Sequence, residues 1–332
     1  MTDAWEPQVN GVVRVVSTTA NILKDRGYEV TIIEPGQFIS IPLPGYPEIR
    51  LALFPTQRIK KILKAVQPDA VHLMTEGPLG FAAAAVCAKE KIPFTTSYHT
   101  HFALYTQVRS LRLCMPFVYW YLKRFHRKSV AVIVSTKSLK EELERLGFAK
   151  NMVVVPLGVD TKRFVRNPAP DLPALPTPVF LFFSRLAPEK SPEEFLKLKL
   201  PGTKLVIGDG PDRARLEKKY GKENVFVGYK HGQELVDWLS LSNVFVFPSR
   251  TETFGLVVLE ALACGIPVAA HDVMGPRDSI TQGKDGYLSE DLQQAALACL
   301  TLSPNDCRAK ALQYSWDRSV DLFIEQLSPI PR

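Results

Sequence analysis

The chain predicts an α/β protein made of two doubly wound, parallel-sheet domains, and three observations carry that prediction. Short apolar strands alternate with helices along almost the whole length, the pattern of a parallel sheet covered on both faces. Residues 167–178 hold five prolines, interrupt the alternation near mid-chain, and are followed by its resumption. A length of 332 residues suits two domains of ordinary size.

Residues 1–10 read as a loop entering a helix over 11–26, stopped by Gly27. Residues 28–34 read as the next strand. A doubly wound domain normally begins with a strand before its first loop, and Met1 falls where that strand should end. Either the start lies upstream or the strand is reduced to a stub. Residues 35–55, rich in proline and aromatics, read as irregular, and 56–67 as a basic amphipathic helix. Strand 70–73 leads to a loop with Glu76, and helix 79–90 follows. Strand 94–97 ends at Tyr98-His99-Thr100. Helix 116–128, strand 130–135, helix 138–146 and strand 152–155 complete the first domain, 1–166.

The second domain, 179–312, repeats the alternation. Strands 179–183, 204–207, 225–227, 244–247 and 268–270 are separated by helices at 212–220, 232–241 and from Gly255 to the stop at Gly265 and Pro267. The tail, 304–326, reads as helical, with Trp316 and Phe323 available for packing.

Composition narrows the function. Hydrophobic residues make up 46% and charged residues 23%, an ordinary globular balance. Five scattered cysteines, with no CxxC pair, argue against disulfides or zinc and for a reduced, cytosolic compartment. The longest nearly apolar run, 254–270, is broken by Glu260, Gly265 and Pro267, so no membrane-spanning helix is expected. The net charge of +7 is uneven: residues 1–165 hold 22 Lys/Arg against 13 Asp/Glu, and the remainder 19 against 21. A basic first domain points to an anionic partner.

In such sheets, ligands bind at the carboxyl ends of the strands. Gly11, Glu76, His99, Asp160, Arg185, Lys190, Asp209 and Glu252 all fall at those ends. Arg185 and Lys190, on one short loop, are spaced to face a diphosphate, Arg through paired hydrogen bonds and Lys as a point charge; a solvated loop is the alternative for Lys190. Gly11 allows close backbone approach to a phosphate or simply starts a helix. His99 reads as a ligand contact or as a structural histidine. Glu260 is an acid inside an apolar helix, which needs a partner: a basic side chain at a helix end, or a ligand hydroxyl. The amides of Phe254, Gly255 and Leu256 open that helix, a geometry suited to phosphate. Gly208-x-Gly210-x-x-Arg213 lacks the third glycine of a dinucleotide fingerprint, and there is no Walker A or Asp-x-Asp pair.

The stretch from Glu252 to Glu260, with Phe254-Gly255 inside it, resembles the donor-site signature of the retaining GT-B glycosyltransferases of family 4. Ser184-Arg185-Leu186-Ala187-Pro188-Glu189-Lys190 resembles that family's diphosphate motif. Asn10-Gly11-Val12-Val13-Arg14, Ser97-Tyr98-His99-Thr100 and Gly158-Val159-Asp160 resemble its first-domain and linker segments. The resemblance implies two Rossmann-like domains facing a cleft, with a C-terminal helix, 313–332, crossing back to the first domain. It implies a nucleoside diphosphate sugar as donor and neither metal nor cofactor. Arg185 and Lys190 would stabilise the leaving diphosphate, Glu260 the ribose, and Glu252 with the amides of Phe254, Gly255 and Leu256 the sugar. Gly11, Gly208 and Asp209 would line the donor site, and His99 would orient the sugar.

The acceptor is read from the basic aromatic segment 102–128. Arg109, Arg112, Trp120, Lys123, Arg124, Arg127 and Lys128 can lie on an anionic bilayer; a core helix with a charged outer face is the alternative. Together with the family's glycolipid branch, this predicts hexosyl transfer to a diacylglycerol- or phosphatidylinositol-like lipid by an enzyme peripheral to the inner face of the membrane, without nucleic acid as partner. A lipopolysaccharide or polysaccharide acceptor, a sugar-nucleotide epimerase and a non-catalytic nucleotide-sugar binder are the other readings.

Overall fold

The computed structural model describes residues 1–8, 10–43, 46–99, 115–149 and 151–331. By its contacts the chain divides into two units: Met1–Pro156 with Trp316–Arg332, and Leu157–Ser315.

In the first unit a hairpin, β1 (Ser40–Leu43) and β2 (Tyr46–Ala52), accompanies a parallel sheet. The sheet holds β3 (His72–Leu73), β4 (Thr95–Tyr98), β5 (Val132–Val134) and β6 (Met152–Val154), in that order. Its helices are α1 (Gly11–Asp25), α2 (Thr56–Val66), α3 (Pro78–Glu90), α4 (Met115–His126) and α5 (Lys137–Arg145). Local chemistry sets the helix ends. Asn10 caps α1 by accepting from the Val13 amide at 2.9 Å. Asp3 does the same for α3, its two oxygens accepting from the Leu79 and Gly80 amides at 2.8 and 3.0 Å. Gly77 makes room for that carboxylate, since a Cβ there would lie 2.4 Å from Asp3 Cγ.

Two expectations about this unit are corrected. Residues 28–34 do not form a strand. Their neighbour is a two-residue stub: the Thr2 amide donates to Ile33 O at 3.0 Å, while the Met1 nitrogen donates to His72 O and Met1 O accepts from the Met74 amide, both at 2.8 Å. Residues 35–55 are not irregular but carry the hairpin. Prolines are tolerated there because a two-stranded ribbon leaves one edge of each strand without a partner. Ala52 turns inward and is buried. Ile39 and Ile41 point outward with their partners Leu53 and Leu51, and Phe54 beyond the hairpin is 95% exposed.

The second unit is a six-stranded parallel sheet. Its strands are β7 (Val179–Phe183), β8 (Thr203–Ile207), β9 (Val225–Gly228), β10 (Val244–Phe247), β11 (Val268–Ala270) and β12 (Gly286–Leu288), in the order β12-β11-β10-β7-β8-β9. Both faces are buried, which explains the unbroken apolar strands: along β7, Phe180 and Phe182 enter one core while Val179 and Leu181 enter the other. Each such side chain contributes about 1.5–3 kcal/mol. The helices are α6 (Pro192–Lys197), α7 (Arg213–Tyr220), α8 (Gly232–Ser240), α9 (Leu256–Ala263), α10 (Pro276–Ser279), α11 (Leu292–Cys299) and α12 (Pro304–Ala311). A last helix, α13 (Trp316–Gln326), belongs to the first unit. The tail read as one helix is therefore two, parted at 312–315 where the chain passes between units.

The division falls at Pro156/Leu157, ahead of the proline-rich stretch. Residues 157–178 pack with the second unit: Val159 and Phe164 lie in its core. Arg308 donates to the carbonyls of Thr161 and Phe164, both at 2.9 Å, and to that of Ala263. Arg166 donates to Ser240 O and Ser242 O.

Candidate active site

The carboxyl ends of β10, β7 and β8 lie side by side, so their loops, 248–255, 184–191 and 208–212, form one edge of the second unit. Of the expected donor residues, Arg185, Lys190, Gly208, Asp209, Glu252, Phe254 and Gly255 lie on these loops. Lys190 and Glu252 meet in an ion pair, both largely buried. The hydroxyls of Ser249 and Thr251 each donate to the Glu189 carbonyl at 3.1 Å, which locks the Glu252 loop to the Lys190 turn. Ser249 also donates to Glu252 Oε1 at 3.2 Å. Arg185 is half-buried on the same loop as Lys190.

Glycine is required where the loops touch. A Cβ on Gly208, with φ 141°, would sit 1.9 Å from Ser184 O. On Gly210 it would sit 2.4 Å from Leu186 O. The two backbones are joined by Leu186 N to Asp209 O at 2.9 Å and Asp212 N to Leu186 O at 3.0 Å. The Asp209 carboxylate accepts from its neighbour Gly210 N and from Arg213, both at 2.7 Å, so it is already engaged at the rim.

Gly255, with φ 83°, turns the chain into α9, which has no side-chain cap. Leu256 is its first residue. The ring of Phe254 belongs to the core, edge-on to Tyr314, which leaves Phe254 its backbone for a ligand. Glu260 lies one turn into α9 and is 1% exposed. It stands well inside the second unit rather than at a helix end.

In the first unit, Gly11 is the first, exposed residue of α1, and His99 follows β4, half-buried. Burial lowers the His99 pKa to about 4, so its ring is neutral at physiological pH. The β4 residues behind it are polar and buried. Thr95 and Ser97 hydroxyls bond the two ring nitrogens of His72 at 2.8 and 2.9 Å, and Thr96 bonds His126 at 2.8 Å. His126 Nε2 lies 3.4 Å from the Glu76 carboxylate, whose pKa burial raises. Asp160 accepts from the Lys162 and Arg163 amides, closing a turn rather than pairing a charged side chain.

Of the basic segment, Arg109 and Arg112 lie outside the described residues. On α4, Trp120 is exposed and stacked on exposed Phe117 at 5.6 Å, and Arg124 lies over the Trp120 ring at 5.9 Å. Lys123 covers Phe148, and Arg127 and Lys128 are exposed just beyond the helix. The opposite face, with Leu122 and Phe125, is core. Sequence reasoning missed the hydroxyl grip of Ser249 and Thr251 and the charged group of Glu194, Arg250, His271 and Glu290 beside it. The position of His271, directly after a strand, was the available signal.

Two parallel-sheet units with this strand-end site define the class: a glycosyltransferase of GT-B fold. Among solved structures, sucrose-phosphate synthase from Thermosynechococcus elongatus superposes with a TM-score of 0.76 at 21% identity, over 96% of this chain and 92% of that one. Anabaena HepE, solved in complex with UDP, gives 0.67 at 15% identity, over 98% and 97%. The model of Glycosyltransferase Family 4 matches residues 9–163, and that of Glycosyl transferases group 1 matches 167–302. The chain belongs to this family and is a hexosyltransferase. It is 29% identical over 314 residues to a GDP-mannose-dependent alpha-mannosyltransferase of Mycobacterium tuberculosis (strain CDC 1551 / Oshkosh), covering 86% of this chain and 82% of the relative. It is 28% identical, over 80% and 78%, to alpha-monoglucosyldiacylglycerol synthase of Acholeplasma laidlawii.

Proposed function

We propose that the protein transfers a hexose, with retention at the anomeric carbon, from a nucleoside diphosphate sugar to a lipid hydroxyl at a membrane surface. The observation that carries the donor half is the meeting of Lys190 and Glu252 on loops locked through Glu189, with Arg185 on the same loop and Glu260 in the helix that follows. A diphosphate entering here takes Arg185 and Lys190 as counter-charges, which offsets the charge that grows as the sugar–phosphate bond breaks. Glu252 then accepts from sugar hydroxyls and Glu260 from the ribose. The phosphate oxygen released takes the proton of the acceptor hydroxyl as the new glycosidic bond forms. In the first unit, neutral His99 is able to accept or donate a hydrogen bond without adding charge.

The lipid half rests on the name of one relative, the alpha-monoglucosyldiacylglycerol synthase, and on the first unit's surface. Sulfoquinovosyl transferase of Arabidopsis thaliana, 30% identical, spans 82% of this chain, although the chain covers 56% of that relative. That relative's name gives the sugar moved, and the diacylglycerol synthase's gives a lipid product. Among the described residues no helix is long and apolar enough to cross a membrane. The stacked Phe117 and Trp120 with nearby cations, and the outward Ile39, Ile41 and Phe54, suit contact from one side of a bilayer. The test is transfer from UDP-glucose and GDP-mannose to diacylglycerol or phosphatidylinositol in vesicles, beside soluble oligosaccharides. Product formed only on the soluble glycans would exclude the lipid acceptor.

A further inference from the structure

Next to the donor loops lies a charged group that the transfer reaction as described does not use. His271, fully buried, directly follows β11. Its Nδ1 is 3.1 Å from the carbonyl of Ser289, beyond β12, and its Nε2 is 2.8 Å from Glu194 Oε1 on α6. Both oxygens accept, so both ring nitrogens are satisfied only as donors, which requires the imidazolium. Charge balance agrees. Arg250, on the Glu252 loop, binds Glu290 Oε2 at 2.9 Å and approaches Glu194 at 3.8 Å, and Glu290 is 3.9 Å from His271 Nδ1. Two acids face one arginine, and a protonated ring makes the group neutral. The neighbouring Asp272 is engaged by Arg277 at 2.6 Å. The His271 hydrogen bond also holds the Glu194 carboxyl below its usual range.

The group reaches the catalytic loops through the backbone. Glu194 lies four residues after Lys190, and its amide donates to Ser191 O at 3.0 Å. Arg250 stands between Ser249 and Thr251, whose hydroxyls hold Glu189. We propose that His271 is a positioning residue of the donor site: as an imidazolium it fixes Glu194 and Arg250, and thereby the two loops that bring Lys190 and Glu252 together. Loss of its proton turns a ring lone pair towards an oxygen and leaves the group with net negative charge. Donor affinity therefore falls when the ring gives up its proton.

The proposal rests on the donor-site reading, and its test separates the two. Binding of UDP-glucose and GDP-mannose is measured by calorimetry from pH 5.5 to 8.5. These sugars carry diphosphate diesters, so the ligand itself does not titrate as a phosphate monoester does near pH 6. Wild-type protein is expected to lose about tenfold in affinity across the range. His271→Gln should have weak, pH-independent affinity with kcat at saturating donor largely kept. Glu290→Gln, at an exposed position that spares the core, should move the wild-type transition to lower pH, because one counter-charge is gone. Nitrogen-15 NMR, with the variant giving the assignment, should show both ring nitrogens protonated at low pH. A flat wild-type affinity, a singly protonated ring, or an unchanged transition in Glu290→Gln overturns the role of His271. Failure of either sugar nucleotide to bind at any pH overturns the donor site itself, and the positioning role with it.

Discussion

Lys190 and Glu252 already neutralise one another, so under the proposed function an incoming diphosphate sugar shares partners rather than meeting bare charges. Arg185→Ala removes a counter-charge that Lys190 does not replace, and Glu260→Gln removes an acceptor from a buried position. Each is expected to cost roughly two to three orders of magnitude in kcat, with an unchanged circular dichroism spectrum; turnover near wild type in either would strike that residue from the site. His99 makes a separate prediction. Its folded pKa, about 4, lies below the ordinary histidine value of 6.5. A depressed histidine favours the fold where both states are neutral, above pH 6.5, and that contribution is lost as pH falls towards 4. Thermal melts of wild type and His99→Gln should converge over that window, and parallel curves would contradict it. The strand-end position of the candidate residues was legible because loop chemistry there is local: Arg185, Lys190 and Glu252 each sit in a short polar run after an apolar strand. Their pairing was not legible, since it depends on β10 lying beside β7, strands more than sixty residues apart in sequence.

At the level of elements, α4 and the β1–β2 hairpin present two surfaces of different character. The α4 surface mixes stacked aromatics with cations, while the hairpin surface is aliphatic. Neutralising Lys123, Arg124, Arg127 and Lys128 together should weaken binding to anionic vesicles by ten-fold or more, at about 1 kcal/mol per charge, and the loss should shrink as salt rises. Phe54→Glu should weaken binding to anionic and neutral vesicles alike. Sedimentation with both vesicle types distinguishes them, and unaltered binding in both variants would return these faces to ordinary surface. The hairpin escaped sequence reading for a physical reason. Prolines at 42 and 47 argue against a central strand, yet a two-stranded ribbon accepts them. The strand expected at 28–34 failed the other way, because apolar alternation describes a segment's faces but not its backbone pairing.

For the whole molecule, the proline-rich stretch marked the change of domain but not the joint. Residues 157–178 are held to the second unit by arginines that donate to carbonyls, contacts with no sequence signature. Replacing Arg308 by leucine leaves three acceptors short of a donor and should lower the stability of the second unit by about 3 kcal/mol. Denaturant unfolding followed separately in each unit would show whether the loss is confined there. The charge division is consistent with the proposed function: the basic excess lies in the unit that carries Trp120 and the hairpin, and the near-neutral half holds the residues proposed for the donor.

The last helix has a consequence for protein dissection. Arg26 at the end of α1 is held by Asp317 and Asp321 at 2.9 and 2.6 Å, Phe323 stands edge-on to His72 at 4.8 Å, and the Ile330 amide donates to Asp69 O at 2.8 Å. A recombinant piece spanning 1–156 would thus lack a wall supplied from the far end of the polypeptide. A synthetic peptide of 316–332 should rescue it in trans, so a protease nick between the two pieces would leave them bound to each other without a covalent tie.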